Sequence, residues 1–309
     1  MYQKIKGSLC LLLAAAIWGF AFVAQSSAAD RVEPFTFNCL RSWIATVALL
    51  GFLLVRGRLR RESLLPAAKA DRRHLLMGGI ACGVVMFVAA GFQQSGITAY
   101  PDAVASSGRS GFITALYVVM VPVVGIFFRK KVHWMVWVGV ALSVAGMYFL
   151  CFNGGIGGLY LGDVLVFCCA LAFTAHILTV DHFIARTDGV MLSCIQFFVT
   201  GALSCVMMVL TESPDWSVIP QAWFPLLFAG VMSSGVAYTL QIIGQKDTDP
   251  AVASLLMSLE SVFAGLGGWL LLQERLSVPE LVGCGLVFAA VVLAQMPEFF
   301  RPKKVPERQ

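Results

Sequence analysis

The sequence has 309 residues, of which 59% are hydrophobic and only 13% are charged, and its mean hydropathy is +0.82. Soluble domains carry about 25% charged residues, so this composition excludes a globular protein that is surrounded by water. The formal net charge is +5.

Apolar runs of about 20 residues recur along the chain, and each is long enough to cross the ~30 Å hydrocarbon layer as a helix. The longest polar segment, residues 56–74, leaves no room for an aqueous domain. The sequence therefore predicts an all-α membrane protein with ten transmembrane helices in a single membrane domain. The predicted spans are residues 7–28, 34–55, 75–97, 102–128, 133–152, 162–184, 190–210, 223–244, 251–272 and 278–296.

The first span, residues 7–28, also has the basic start and the small-residue end of a signal peptide. We expect it to be retained, because it has a counterpart in the second half of the chain. Most of the 22 lysine and arginine residues lie before span one, after spans two and four, or after span ten. By the positive-inside rule, both termini are predicted to be cytoplasmic and the protein to lie in the cytoplasmic membrane. This topology accounts for the net charge without a nucleic-acid partner.

The two halves of the chain resemble each other. "GSLCLLLAAAIWGFAFVAQSS" (7–27) can be laid on "GDVLVFCCALAFTAHILTVDH" (162–182), and "PDAVAS" (101–106) resembles "DPAVAS" (249–254); a different offset would pair Tyr117 with Glu260. Each half has an odd number of spans, so the halves must be inverted. We predict two inverted five-helix repeats, residues 1–152 and 153–309. This organisation is typical of secondary transporters, whose substrate site lies near the midplane between the repeats.

Polar residues recur at helical spacing in several spans. Span nine has a stripe of serines and glycines with Glu260 along its edge, and spans four and eight have similar stripes. In span eight the members are Ser234, Tyr238, Gln241 and Gln245. Because spans three, four, eight and nine correspond in the two halves, these faces are expected to converge on one cavity. Close helix packing is the alternative explanation of such stripes.

Two charged residues, Glu260 and Arg41, lie well inside predicted spans, where a charge costs about 2.5–3.5 kcal/mol on insertion scales. Glu260 could pair with Arg41 or Arg109, or it could stay protonated and act as a proton carrier or as a partner of a cationic substrate. Arg109 could instead reach the outer surface. The predicted substrate-binding residues are Glu260, Arg41, Trp18, Phe22, Gln94, Tyr117, His176, Tyr238 and Gln241. For Trp18, Phe22 and His176, interior packing is the alternative.

No metal site or cofactor is predicted. The nine cysteines lie in or beside apolar spans, without C-x-x-C pairs or histidines at metal-ligand spacing. The glycine-rich segment "NGGIGGLYLGD" (153–163) follows no strand and precedes no lysine, so it predicts an outside loop and not a phosphate-binding loop. Since no nucleotide-binding motif is present, ATP is not predicted as the energy source.

The stretches "GFQQSGI", "GFITALYVVMVPVVG" and "AYTLQIIGQKDTDPAVASLLMSLESVFAGLGGWLLLQERLS" resemble the EamA-like family of the drug/metabolite transporter superfamily. The resemblance covers essentially the whole chain. It implies ten helices in two inverted halves and the movement of small metabolites, often outward. After the leucine-glutamate pair, where the family usually has proline, this chain has Ser261.

The sequence thus predicts a secondary transporter that exports a small metabolite, such as an amino acid or an amphipathic or aromatic compound, by alternating access. Glu260 would supply charge or proton coupling. One alternative is a passive channel, because polar stripes also line pores. The other is an intramembrane lipid-modifying enzyme, but such enzymes gather several acids and histidines at one interface and the four histidines here are scattered. We therefore predict that the protein is not an enzyme.

Overall fold

A computed structural model of the protein describes residues 2–29, 31–61, 63, 66, 68–101, 106–129, 132–151, 159–272 and 278–300. Some predicted features lie outside the described residues. These are most of the "PDAVAS" segment, the glycine-rich loop from 153 to 158, and the basic residues after position 300.

The described part of the chain forms helices and contains no strand. A 3₁₀ turn, Ile219–Ala222, and a π-helix, Phe228–Ala237, lie on either side of the short α-helix Trp223–Leu227. The α-helices are α1 (Tyr2–Ala29), α2 (Pro34–Arg60), α3 (Lys69–Thr98), α4 (Ser106–Thr114), α5 (Tyr117–Phe127), α6 (Trp134–Cys151), α7 (Leu161–Ile184), α8 (Gly189–Thr211), α9 (Trp223–Leu227), α10 (Tyr238–Gln245), α11 (Pro250–Met257), α12 (Glu260–Leu272) and α13 (Val278–Phe300).

Eight segments among the described residues are long and apolar enough to cross a membrane. The multi-pass membrane protein that the composition predicts is therefore confirmed. The two other predicted spans match the shorter apolar helices Trp134–Phe149 and Leu281–Ala294. The long segments are Ile5–Ala29, Pro34–Arg60, Lys69–Thr98, Arg109–Phe127, Leu161–Ile184, Gly189–Thr211, Ile219–Gln245 and Pro250–Gly267.

The ends of α2 show why its sequence folds as a separate helix. Pro34 is its first residue, a position where proline is tolerated because the missing N–H would have no helical partner. At the other end, Arg58 and Arg60 lie in the last turn, where a positive charge interacts favourably with the helix dipole. Arg61 then adopts the left-handed conformation with φ 55° and ends the helix.

Helices α2 and α8 run antiparallel and are joined at both ends. The carboxylate of Glu212, just after α8, accepts hydrogen bonds from the backbone N–H groups of Phe35 and Thr36, both at 2.7 Å. At the opposite end, Arg56 Nη1 lies 3.0 Å from Asp188 Oδ2, and Asp188 also caps the start of α8. A side chain near or just after the end of each helix therefore binds the start of the other helix.

We expect the change Glu212→Ala to destabilise the fold by about 2 kcal/mol, because two N–H groups at the start of α2 lose a charged acceptor. A thermal-shift measurement on the purified protein should record a lower Tm. Glu33→Ala is the matched control, since Glu33 is exposed at the N-cap of α2 and its side chain makes no cap hydrogen bond. Equal Tm values for the two variants would contradict the capping role of Glu212.

Glycines allow two pairs of helices to approach closely. In α3 and α7, a Cβ atom on Gly162 would lie 2.8 Å from the carbonyl oxygen of Gly96. In α10 and α1, a Cβ atom on Gly244 would lie 2.8 Å from the carbonyl oxygen of Gly7. Small residues permit such backbone contact between membrane helices. These two glycine crossings lie at the start of α7 and the start of α1.

Candidate functional site

A narrow cavity with about 30 Å³ of space for water-sized molecules lies among the helices of both predicted halves. This is room for water and is well below the roughly 300–1,000 Å³ of pockets that hold small molecules, so a metabolite would bind only when the surrounding helices move apart. The cavity is lined by Arg41 and Glu260, the two charged residues that the sequence places well inside spans. The residues that line it are Trp18, Phe22, Gln25, Arg41, Gln93, Thr114, Tyr117, Phe173, Ile177, Ser233, Tyr238, Gln241, Met257 and Glu260.

Arg41 and Glu260 both line this cavity without forming an ion pair with each other. Each is only 4% exposed, and no ion pair joins them in the part of the chain that the structure describes. Arg41 Nη1 donates a hydrogen bond to Gln25 Oε1 at 2.8 Å, and its Cζ atom lies 5.7 Å from the centroid of the Phe37 ring. Of the alternatives for Glu260, pairing with an arginine is not found in the structure, because Arg41 binds Gln25 and Arg109 binds Asp163, as described below.

Glu260 is held by a tyrosine from the other half. The hydroxyl of Tyr117 donates to Glu260 Oε1 at 3.0 Å. Tyr117 is the first residue of α5 and Glu260 is the first residue of α12, so both lie where a membrane segment is interrupted. A carboxylate at the first turn of a helix interacts favourably with the helix dipole. The contact matches the alignment offset that pairs these two residues.

Serine side chains accompany the interruption between α11 and α12. The hydroxyls of Ser254, Ser258 and Ser261 donate to the backbone carbonyls three residues earlier, at 2.9, 2.8 and 2.7 Å. Hydrogen bonds of this kind compete with the helical ladder and bend helices. The break thus occurs with Ser261 at the position where the resemblance leads us to expect proline.

Aromatic rings form one wall of the cavity. The centroids of Trp18 and Tyr238 lie 4.7 Å apart, and Phe173 stacks on Tyr238 at 6.4 Å. Phe197 packs edge-on against Tyr238 from behind, at 5.5 Å. Such a surface can contact an apolar or aromatic group, and the ring faces also attract a cation.

Two polar atoms of lining residues are buried and have no hydrogen-bond partner among the described residues. They are the indole Nε1 of Trp18 and the amide Oε1 of Gln241. The Nε2 atom of Gln241 donates to Gln245 Oε1 at 3.0 Å. Because buried polar atoms are almost always hydrogen-bonded, this donor and this acceptor are suited to groups of a bound molecule or to water.

Most of the predicted site residues meet at this cavity. Trp18, Phe22, Arg41, Tyr117, Tyr238, Gln241 and Glu260 line it. Gln94 and His176 do not. Gln94 is fully buried. The neighbouring Gln93 lines the cavity instead, and its Nε2 lies 3.5 Å from Thr114 Oγ1. His176 lies behind the aromatic wall, with its Nε2 atom 2.8 Å from Gln196 Oε1.

Ser233 lines the cavity where an α-helical stripe predicts Ser234. The reason is the π-helix Phe228–Ala237. A π-helix places residues five apart on one face, so Ser233 lies in line with Tyr238, whereas Ser234 is buried with an unpartnered hydroxyl. Helical spacing of 3.6 residues could not reveal this. The other lining residues outside the predicted set are Gln25, Gln93, Thr114, Phe173, Ile177 and Met257.

Arg109 binds Asp163 and does not reach Glu260. Its Nε and Nη2 atoms donate to the two carboxylate oxygens of Asp163 at 2.6 and 2.7 Å. Tyr100 adds a hydrogen bond to the same carboxylate at 2.8 Å, and burial, together with this bond, raises the pKa of Tyr100. Asp163 is buried, and it also caps α7 by accepting a hydrogen bond from the N–H of Tyr160 at 2.9 Å.

The sequence model of the EamA-like transporter family matches residues 5–152 and 160–296. An uncharacterized transporter of Archaeoglobus fulgidus is 30% identical over 300 residues, which are 95% of this chain and 87% of the relative. The uncharacterized inner membrane transporter YedA of Escherichia coli K12 is 25% identical, over 93% of this chain and 90% of its own length. A solved crystal structure shares the fold with a TM-score of 0.77 at 20% identity, and the match covers 96% of this chain and 99% of that chain.

Proposed function

Because this chain belongs to the EamA-like transporter family, we propose that it is a secondary transporter that exports a small zwitterionic metabolite with an apolar or aromatic group. The resemblance seen in the sequence motifs is confirmed by the family match. The protein is a multi-pass transporter of the inner membrane, and its family and relatives are named as transporters rather than enzymes.

The observation that carries this proposal is the pair of unneutralised, opposite charges at one cavity. Arg41 and Glu260 are both buried, and neither has a charged partner among the described residues. Isolated charges inside a membrane protein are costly, and a molecule with one anionic and one cationic group would neutralise both. A carboxylate would bind the guanidinium of Arg41, and an ammonium group would bind the carboxylate of Glu260. Amino acids have these two groups.

The remaining lining residues fit the rest of such a molecule. The wall formed by Trp18, Tyr238 and Phe173 would contact its side chain. The unpartnered Nε1 of Trp18 would donate a hydrogen bond, and the unpartnered Oε1 of Gln241 would accept one, with polar atoms of the metabolite or with bound water. The aromatic rings beside Glu260 would also stabilise an ammonium group.

We further propose that residues 1–152 and 153–309 form inverted repeats of five spans each, with both termini in the cytoplasm. The family match supports this division, since one matched stretch falls in each half. The helix packing also supports this division, because the pairs of helices in contact correspond when each span of one half is replaced by its counterpart in the other half. Helix α3 packs on α7 as α10 packs on α1, while α2 pairs with α8 and α6 pairs with α13. The interrupted segments α4–α5 and α11–α12 correspond in the same way.

In this mechanism the halves rock about the cavity and expose it in turn to each side of the membrane. The crossing of Gly96 with Gly162 would open on one side and the crossing of Gly7 with Gly244 on the other. Glu260 would exchange its substrate contact for a proton, which would couple export to the proton gradient. The hydroxyl of Tyr117 can donate to Glu260 while the other carboxylate oxygen takes up the proton.

Counterflow exchange in proteoliposomes tests this function. Vesicles that contain the purified protein and an unlabelled amino acid should take up the same labelled amino acid faster than vesicles without internal substrate. A panel of aromatic, aliphatic and charged amino acids identifies which side chains are accepted. Uptake that does not respond to internal substrate would indicate a passive channel and would contradict alternating access.

A further inference from the structure

We propose that Gln25 is a specificity-determining residue: its amide oxygen fixes the guanidinium of Arg41 at the cavity wall without neutralising it, so that the positive charge stays available for the anionic end of the substrate. This inference rests on the proposed function, and it adds a role for a residue outside the predicted substrate-binding set.

The geometry fixes both ends of the Gln25 amide. Its Nε2 atom donates to the carbonyl oxygen of Ala21, one turn earlier in α1, at 3.4 Å. Its Oε1 atom accepts from Arg41 Nη1 at 2.8 Å. Gln25 is 4% exposed and lines the cavity together with Arg41. Since the amide nitrogen is engaged with the backbone of α1, the oxygen is the atom that points to the guanidinium.

The chemistry of the acceptor decides what Arg41 can do. An amide oxygen is neutral and takes one of several guanidinium N–H groups, so the remaining donors and the whole charge stay free. A carboxylate in the same place would form a bidentate ion pair and neutralise the positive charge of Arg41.

The same chain also contains an arginine that is paired with a carboxylate. Arg109 is engaged by both carboxylate oxygens of Asp163, at 2.6 and 2.7 Å, and this pair lies apart from the cavity lining. An arginine with a carboxylate partner is structural here, whereas the arginine at the cavity has an amide partner. The difference between the two sites is the charge of the acceptor, which is why Gln25 decides whether Arg41 can bind an anion.

The face of the guanidinium supports the same assignment. The Phe37 ring lies beneath it, with 5.7 Å between Cζ and the ring centroid. A ring face holds a cation in place but does not neutralise it. Phe37 and Gln25 together therefore orient Arg41 from two directions and leave its net charge unchanged.

Three ligands of similar shape test separately the binding of the anionic group by Arg41 and of the cationic group by Glu260. Phenylalanine carries both groups, 3-phenylpropionate lacks the ammonium group, and 2-phenylethylamine lacks the carboxylate. Isothermal titration calorimetry on the purified protein gives a Kd for each probe. In the Gln25→Glu variant we expect 3-phenylpropionate and phenylalanine to bind at least about tenfold more weakly, because a charge-assisted contact is lost. The Kd of 2-phenylethylamine should stay the same or fall.

Gln25→Met is the matched neutral variant. It removes the hydrogen bond but not the charge of Arg41, so we expect the affinity for both carboxylate probes to fall by only about threefold. Retained binding of 2-phenylethylamine shows that each variant is folded. If Gln25→Glu changes the three Kd values by the same factor, or changes none of them, the role of Gln25 is overturned. If the wild-type protein binds neither carboxylate probe, the zwitterion proposal falls as well.

Discussion

The Glu260→Gln variant is expected to lose transport while its fold stays intact. Glutamine has nearly the same shape, and its amide oxygen can still accept the hydrogen bond from Tyr117 that Glu260 Oε1 accepts at 3.0 Å. What disappears is the negative charge and the site for a proton. Removing one partner of a desolvated charge contact costs about 2–5 kcal/mol, so the exchange rate of labelled substrate in proteoliposomes should fall by about thirtyfold or more.

Two measurements make this result specific. The Tm of Glu260→Gln should be equal to or above that of the wild type, because an uncompensated buried charge has been removed. Glu33→Gln is the control for the chemical change itself, since Glu33 is exposed at the start of α2, away from the cavity. We expect this control to transport at the wild-type rate. Wild-type exchange by Glu260→Gln would exclude Glu260 from both substrate binding and coupling.

The fold could be predicted from the sequence because the bilayer imposes simple rules. A spanning helix needs an apolar run of fixed length, so hydropathy alone locates each segment to within a few residues. The interruption before Glu260 is harder to see, because serines form it here where proline is expected. The π-helix Phe228–Ala237 could not be predicted, since an apolar run has the same hydropathy whether it folds as an α-helix or as a π-helix.

The site was partly predictable for a related reason. A charge deep in a span is rare and costly, so Glu260 and Arg41 could be identified without a structure. The partners of charged residues could not, because they depend on which helices meet. Arg109 was a candidate partner of Glu260, but the packing of α3 and α4 on α7 places it beside Asp163. Gln94 and Gln93 are adjacent, and only the helix rotation decides that Gln93 faces the cavity.

Breaking the contact between Arg109 and Asp163 should have the second large effect, on stability. The side chains of this pair are only 11% and 6% exposed, and the pair joins α4 of the first half to α7 of the second. Removal of one partner of a buried pair leaves an uncompensated charge and costs about 3–5 kcal/mol. The change Asp163→Asn should therefore lower the Tm by several degrees in a thermal-shift measurement.

The chain supplies a matched control for this prediction. Asp188 also caps a helix and also binds an arginine, Arg56 at 3.0 Å, but the side chains of that pair are 24% and 45% exposed. Asparagine can replace aspartate as a cap in both places, so each substitution removes mainly the charge. Because water screens the exposed pair, Asp188→Asn should cost less than about 1 kcal/mol. A double-mutant cycle with Arg109→Gln isolates the buried contact between Arg109 and Asp163. Equal losses in the free energy of unfolding for Asp163→Asn and Asp188→Asn would show that burial does not strengthen the contact.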